Sequence, residues 1–220
     1  MTDSISAPLP AALRYEEFEP RVRTGDVLLC HGSSAISETI EVITGSKYSH
    51  VAMVVRPDPT KPPMVWQAGP GPIVEDPRTL TMHTGAQLGD LVTVLPVLCN
   101  PKYGDVTYWR PLTVDRGADF ETLALQAVAD LDGRPFPTMT QMFEEWVIGK
   151  LHITASDRTF FCGQLVAETF MRMGLLPPEP PPNAYQPGLF SDQFRRLQLQ
   201  KGATFGVSQQ ILAPQVTPAT

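Results

Sequence analysis

Five consecutive apolar residues, Val51–Val55, constrain the fold of this chain more than any other feature. The run is short and ends at Arg56-Pro57, so it predicts a buried strand at the centre of a sheet. His50 directly precedes the run and therefore stands at the entrance of that strand. A histidine in this position is a candidate general base if the fold brings a nucleophile to the same place.

A second pattern begins at Cys162. Apolar residues between positions 165 and 173 recur at helical spacing, so Cys162 lies in the first turn of a predicted helix. Unpaired main-chain N–H groups and the helix dipole favour negative charge at this end of a helix, which predicts a lowered thiol pKa. The same N–H groups, including that of Gly163, are candidates to hold an oxyanion. Cys162 is thus the candidate nucleophile.

A third group is expected to orient the histidine ring. We choose Gln67, because Met64–Gln67 predicts a strand that pairs with the central one, and its amide oxygen can accept the second ring N–H. The adjacent carboxylates Glu75 and Asp76 remain an alternative. Taken singly, each of these residues has an ordinary structural interpretation, and a cysteine at a helix start is more commonly an inert core residue.

The remaining patterns predict both strands and helices. Further strands are predicted at residues 27–30, 91–98 and 106–112, and further helices at 36–43, capped by Ser33 or Ser34, and at 120–131. One domain is expected over residues 21–208, preceded by an extension at 1–20 and followed by a flexible tail at 209–220.

Composition and missing motifs exclude several classes of function. A formal net charge of −6 argues against nucleic-acid binding, and no apolar run is long enough to predict a membrane-spanning helix. The sequence has no CxxC pair, HExxH, P-loop or GxSxG motif, so neither a metal nor another cofactor is expected. Three cysteines, Cys30, Cys99 and Cys162, cannot all pair, and the start lacks a signal-peptide pattern, so we expect reduced thiols and a cytoplasmic location.

Several segments in this order resemble the circularly permuted NlpC/P60 papain-like proteins of the YiiX/YaeF type. They are Gly25-Asp26-Val27-Leu28-Leu29, Ile40–Thr44, Ser46–Val54, Gly133-Arg134-Pro135-Phe136 and Phe161-Cys162-Gly163-Gln164-Leu165-Val166. The family commonly has serine and glutamate after the cysteine, where this chain has Gly163 and Gln164. It also often has glutamate at the position of Gln67.

The resemblance implies an α+β fold, a permuted papain-like core with a mainly antiparallel sheet and packed helices. It implies Cys162 as nucleophile, His50 as general base and Gln67 as the residue that orients it, with Tyr48 on the oxyanion side. The histidine precedes the cysteine in the chain, which is the order that the permutation requires.

Three functions remain open. The leading hypothesis is a cysteine hydrolase, peptidase-like or amidase-like, that cleaves peptide, isopeptide or N-acyl amide bonds through an acyl-enzyme. The second keeps the nucleophile but acts on lipid acyl groups. Six apolar residues could build a lipid channel or lid: Phe136, Met139, Met142, Phe143, Trp146 and Val147. An amphipathic helix that packs on the core explains this stretch better. The third hypothesis is a non-catalytic binding module. The sequence does not predict the oligomeric state.

Overall fold

The computed structural model describes residues 11–32, 45–71, 74–100, 105–155, 158–193 and 197–214. The strands in these ranges are β1 (Val27–His31), β2 (His50–Val55), β3 (Met64–Gly69), β4 (Gly85–Asp90), β5 (Val106–Arg110), β6 (Leu112–Thr113), β7 (Thr204–Phe205) and β8 (Gln209–Ile211). The α-helices are α1 (Tyr15–Phe18), α2 (Leu91–Leu98), α3 (Phe120–Leu131), α4 (Met139–Lys150) and α5 (Cys162–Arg172). The helix predicted at 36–43 lies outside the described residues.

Six strands form one sheet in the order β4-β3-β2-β1-β5-β8, and all neighbouring strands are antiparallel. β6 and β7 form a separate two-stranded sheet. β2 lies inside the large sheet, as its apolar run predicts, and β3 is its neighbour, as expected for the strand that carries Gln67. The fold is α+β, an antiparallel sheet with packed helices, which confirms the predicted class.

The side chains of β2 alternate between two hydrophobic cores, one on each face of the sheet. Val51, Met53 and Val55 pack in a core with residues of α3 and α5, whereas Ala52 and Val54 pack in a core with residues of α2. All five are fully buried. A slip of one residue would exchange the two sets, so the two cores fix the register of β2 and with it the position of His50.

The segment Leu91–Leu98 forms helix α2, so the predicted strand is wrong here. Leu91, Val94 and Leu95 are buried at helical spacing, whereas Val92 is exposed. The sequence of this segment is almost entirely apolar and therefore has no clear period, which leaves strand and helix indistinguishable from pattern alone.

Strand β4 lies within a stretch for which the sequence predicts no strand. Its sequence, Gly-Ala-Gln-Leu-Gly-Asp, contains no β-branched residue, so intrinsic preference does not favour an extended conformation. Six residue pairs with β3 hold it in place. On its other side, Ala86 exchanges main-chain hydrogen bonds with Gly133 and Arg134. Tertiary pairing therefore determines this strand.

Both ends of the described chain add to the sheet beyond the predicted domain boundaries. β8 begins at Gln209, within the segment that was expected to be a tail, and it pairs with β5. The Leu13 N–H donates to the Gln210 carbonyl oxygen, and the Leu212 N–H donates to the Leu13 carbonyl oxygen. Phe18 is fully buried in the core on the α2 face. The structured unit thus extends past residues 20 and 208 at both ends.

Helix α4 differs from the core-packing helix that the sequence favoured. Gly149 is its buried residue, whereas Met139, Phe143 and Val147 are exposed. Gly149 packs against the main chain at Asn183, where an added Cβ would lie 2.7 Å from the carbonyl carbon. None of the helices in the described parts of the chain has the length and apolarity to cross a membrane.

Candidate active site

Two elements begin at the candidate site, and each presents one predicted residue. β2 begins at His50, which lies opposite Cys30 in the β1–β2 pair. Helix α5 begins at Cys162, as predicted, and the extended residue Phe161 precedes it. The Gln164 side-chain oxygen accepts the Phe161 N–H at 3.4 Å and so satisfies one of the main-chain donors that the helix start leaves unpaired.

The packing of α5 on β2 brings the Cys162 thiol to the entrance of the strand. The sulfur lies 4.0 Å from the carbonyl oxygen of Ser49, the residue before His50, and the main-chain N–H of Val51 also acts on it. The thiol therefore contacts the main chain on both sides of His50. Within the described residues, the contacts of the sulfur include no hydrogen bond to the His50 ring.

Gln67 lies on β3 beside the ring of His50. Its Oε1 is 2.9 Å from His50 Nε2. Because this oxygen can only accept, Nε2 carries the proton of the neutral ring and Nδ1 is left with a free lone pair. Gln67 is fully buried, and its Nε2 has no hydrogen-bond partner among the residues that the structure describes. The amide thus fixes the ring without adding charge.

Burial controls the pKa of the thiol. Cys162 is 7% exposed, and burial raises the pKa of its thiol to about 11, although the main-chain N–H groups of Val51, Gly163 and Cys162 lower it in part. The expected lowering by the helix start is therefore present, but the larger effect of desolvation reverses the net direction. The lowered pKa that the sequence predicts for Cys162 is therefore wrong for the site without a bound substrate.

Burial also favours a neutral imidazole. Although part of the His50 residue reaches the surface, burial of its ring lowers the pKa to about 4, and the hydrogen bond to Gln67 raises it by less. At neutral pH the site therefore holds a thiol and a neutral ring rather than a thiolate–imidazolium pair. The ring is in the protonation state that a general base needs.

Gly163 permits a close main-chain contact next to the thiol. A Cβ at this position would lie 2.6 Å from the Tyr185 carbonyl oxygen and 3.1 Å from Gln186 Cα. A serine, the residue that is common here in the family that the sequence resembles, would meet the same obstacle. Position 163 thus requires glycine because the main chain of residues 185–186 passes close to it.

Tyr48 is a core residue whose hydroxyl is buried. Its ring packs edge-on against Tyr108, with the ring centroids 5.8 Å apart. Burial, followed by the negative charge of Asp192, raises the pKa of its hydroxyl to about 12. Among the described residues, the Tyr48 hydroxyl has no hydrogen bond to Cys162 or to any other group.

Asp76 and Cys30 have partners other than Cys162 and His50. Asp76, the alternative orienting residue, is buried and accepts hydrogen bonds from Arg78. Cys30 is buried, and the Thr107 hydroxyl lies 3.6 Å from its sulfur. Sequence reasoning missed the main-chain groups of Ser49 and Val51, for which a sequence carries no signal because every residue has them.

One cluster has the ligand types that bind metal ions. Side-chain ligand atoms of Asp76, His83 and Asp132 lie within 4.8 Å of one another. Arg78 already occupies it, since its Nη2 lies 2.5 Å from Asp76 and 2.6 Å from Asp132. The ion pair lowers the pKa of Asp76 in opposition to burial. The cluster therefore serves to join the 76–83 loop to the end of α3.

Comparison with known proteins gives a distant structural similarity. The crystal structure of the metalloprotein YiiX from Escherichia coli O157:H7 matches with a TM-score of 0.44 and 22% sequence identity, over 70% of this chain and 67% of that chain. No protein-family model matches the sequence, and no curated protein matches it.

Proposed function

We propose that the protein is a cysteine hydrolase of amide-type bonds, with Cys162 as nucleophile and His50 as general base. The proposal rests on one observation: the first residue of α5, Cys162, lies beside the first residue of β2, His50. The Cys162 thiol lies against the main chain of residues 49–51, and the ring of His50 is oriented by Gln67.

The reaction would begin with transfer of the thiol proton to His50 Nδ1. This requires the thiol to turn away from the Ser49 carbonyl toward the ring. The sulfur then attacks the substrate carbonyl, and the main-chain N–H groups at the start of α5 stabilise the oxyanion. Their action on the sulfur in the resting arrangement supports this role, since they converge on this place.

Collapse of the tetrahedral intermediate breaks the amide bond. His50 gives its new proton to the leaving amine, and an acyl group remains on the Cys162 sulfur. Water then attacks the thioester with His50 as base, which releases the acid and restores the thiol. Gln67 keeps the ring in the required tautomer during both halves of the reaction.

Substitution of the nucleophile tests the proposal. Cys162→Ala is expected to lower kcat at least about a thousandfold on any peptide, isopeptide or N-acyl amide that the protein cleaves. Cys99→Ala is the matched control, because Cys99 is also buried with a thiol pKa raised to about 11 but lies against Ile211. Intact turnover in Cys162→Ala would refute the mechanism. A thioester adduct located by mass spectrometry on Cys162 would support it.

Lipid acyl transfer or hydrolysis is a second candidate, and exposed apolar side chains on α4 favour it. Met139, Phe143 and Val147 lie four residues apart and form one row on the helix, which Leu151 continues. The candidate predicts that lipid acyl esters, and not amides, label Cys162. Equal labelling by both substrate classes would remove the reason to prefer it.

A binding module without catalysis is the third candidate. The raised pKa of the thiol and its contact with the Ser49 carbonyl favour this candidate, since both describe an unactivated cysteine. It predicts that iodoacetamide modifies Cys162 at the same low rate in the wild type and in His50→Ala. A slower reaction in His50→Ala would count against it.

A further inference from the structure

Lys47 lies three residues before His50, in the segment that leads into β2. Both of its main-chain polar groups are anchored by distant parts of the chain. Its N–H donates to Gln193 Oε1 at 3.0 Å, and the His31 ring lies with Nδ1 2.9 Å from its carbonyl oxygen. This residue is therefore held in one position although it lies on the surface.

The ammonium group of Lys47 rests on two aromatic rings. Its Nζ is 5.0 Å from the centroid of the Tyr48 ring and 5.2 Å from that of Tyr108. Such contacts hold a cation in place but leave its N–H donors available. None of the ion pairs between residues that the structure describes includes this nitrogen.

The charge is thus ordered, exposed and close in sequence to the candidate base. Three residues of extended chain span at most about 10 Å, which limits the separation of the Lys47 and His50 Cα atoms. Val51, whose N–H acts on the Cys162 thiol, and Tyr108, whose ring contacts the ammonium, pair with Leu29 from opposite sides of β1. Their Cα atoms are therefore about 10 Å apart, two strand spacings, so residues that flank the bond to be cleaved would be presented to this cation. The chain as a whole carries a net charge of −6, so a general excess of basic residues does not account for an ordered cation at this position.

We propose that Lys47 binds a carboxylate of the substrate, so that the substrates are acidic peptides or amides with a carboxylate near the bond that is cleaved. The proposal rests on the proposed function for its location but can be tested without turnover. The rival explanation is that Lys47 only covers the two tyrosine rings, which would make it a packing residue.

Binding is measured in the Cys162→Ala background, in which the proposed mechanism allows no turnover. The probes are an N-acetylated tripeptide amide with a central glutamate and the same peptide with glutamine, titrated by calorimetry. We expect the glutamate peptide to bind about fivefold more tightly, the range of an exposed ion pair, and the difference to shrink at high salt. Equal affinity, or no binding of either peptide, would overturn the proposal.

Two substitutions separate charge from packing. Lys47→Met keeps the apolar stem over the rings and is expected to abolish the preference for glutamate, whereas Lys47→Arg is expected to retain it. Loss of affinity for both peptides to the same extent in Lys47→Met would favour the packing explanation and contradict the proposal. A glutamate preference that persists in Lys47→Met would also contradict it.

The same variants distinguish this proposal from the proposed function. If Cys162→Ala cleaves the glutamate peptide as fast as the wild type does and still prefers it through Lys47, the anion site stands and the hydrolase mechanism fails. If cleavage depends on Cys162 but shows no preference for the acidic substrate, the mechanism stands and the role of Lys47 is refuted.

Discussion

The two ends of the β1–β2 strand pair bury ionisable groups in opposite ways. At one end the Asp26 carboxylate accepts hydrogen bonds from the Trp109 indole N–H and from the main-chain N–H groups of Arg23 and Leu112, and Arg116 lies 3.9 Å away. At the other end His50 has the neutral amide of Gln67, and the Cys162 thiol has the Ser49 carbonyl.

The difference separates a charge that holds the fold from groups that can exchange a proton. Desolvation raises the pKa of Asp26, but its donors and the nearby guanidinium oppose that rise and stabilise the ionised form. Among the described residues no comparable set of charged partners surrounds His50, so burial leaves it neutral. A proton can move between a thiol and a neutral ring without breaking a buried ion pair. The contrast predicts that, near neutral pH, substitutions act mainly on activity at the His50 end and mainly on stability at the Asp26 end.

The largest expected effect is the loss of the base. His50→Ala is expected to lower kcat about a thousandfold, equivalent to about 4 kcal/mol of transition-state stabilisation, because the thiol then lacks a proton acceptor. Steady-state kinetics on the best amide substrate measure this, and circular dichroism checks the fold. A His50→Ala variant that keeps the wild-type kcat would show that His50 is not the base. The proposed difference between the two ends of the β1–β2 pair would then be wrong.

Asp26→Ala is expected to lower the free energy of unfolding by about 3 kcal/mol, because it leaves the Trp109 and Leu112 N–H groups buried without an acceptor. Urea denaturation measures the change. Asp26→Asn is the matched control, since it retains one acceptor oxygen and should lose less. Turnover per folded molecule is expected to be unchanged in both variants. A loss of turnover with intact stability would show that the two ends are not separate in function.

The pH dependence of stability is the third effect. The pKa of His50 is about 4 in the folded protein against an ordinary value of 6.5, so the unfolded chain binds more protons between these values. Stability contributed by the neutral ring is present above pH 6.5 and is lost as the pH falls toward 4, by about 2 kcal/mol once partial exposure is allowed for. Unfolding free energies of wild type and His50→Gln, compared across this range, measure it. The two curves running parallel would contradict the lowered pKa.

Much of this arrangement follows from the sequence, and the exceptions have physical reasons. The stripe after Cys162 predicts α5 because apolar positions recur there at helical spacing, and the run after His50 predicts β2 because it is short, apolar throughout and ends at Arg56-Pro57. The pKa of Cys162 could not be predicted, since it depends on how completely α5 and β2 exclude water. Asp26, although part of a recognised segment, gave no sign that Trp109 and Leu112 would meet it, because those contacts join strands far apart in sequence.

Gln67→Glu makes the neutral end resemble the charged one. A carboxylate at this position is expected to raise the pKa of His50 by about one unit, or about 1.4 kcal/mol, because it stabilises the protonated ring. The acid limb of the pH profile of kcat/KM should move upward by the same amount, and iodoacetamide should modify Cys162 faster at neutral pH. Gln67→Met is the control, since it removes the acceptor without adding charge. An unshifted acid limb in Gln67→Glu would show that Gln67 does not hold the active ring.

The smallest effect concerns the start of α5. Gln164→Met removes the acceptor of the Phe161 N–H, and because that bond is long at 3.4 Å we expect a loss of only about 0.5 kcal/mol in the free energy of unfolding. Gln164→Glu keeps an acceptor oxygen and should retain stability, but its charge, two residues from Cys162, should slow thiol alkylation at about pH 8, near the ordinary thiol pKa. Faster alkylation in Gln164→Glu than in the wild type would contradict this, because an added negative charge disfavours a thiolate. The two variants thus distinguish an effect of the neutral side chain at position 164 on helix stability from an effect on the reactivity of the Cys162 thiol.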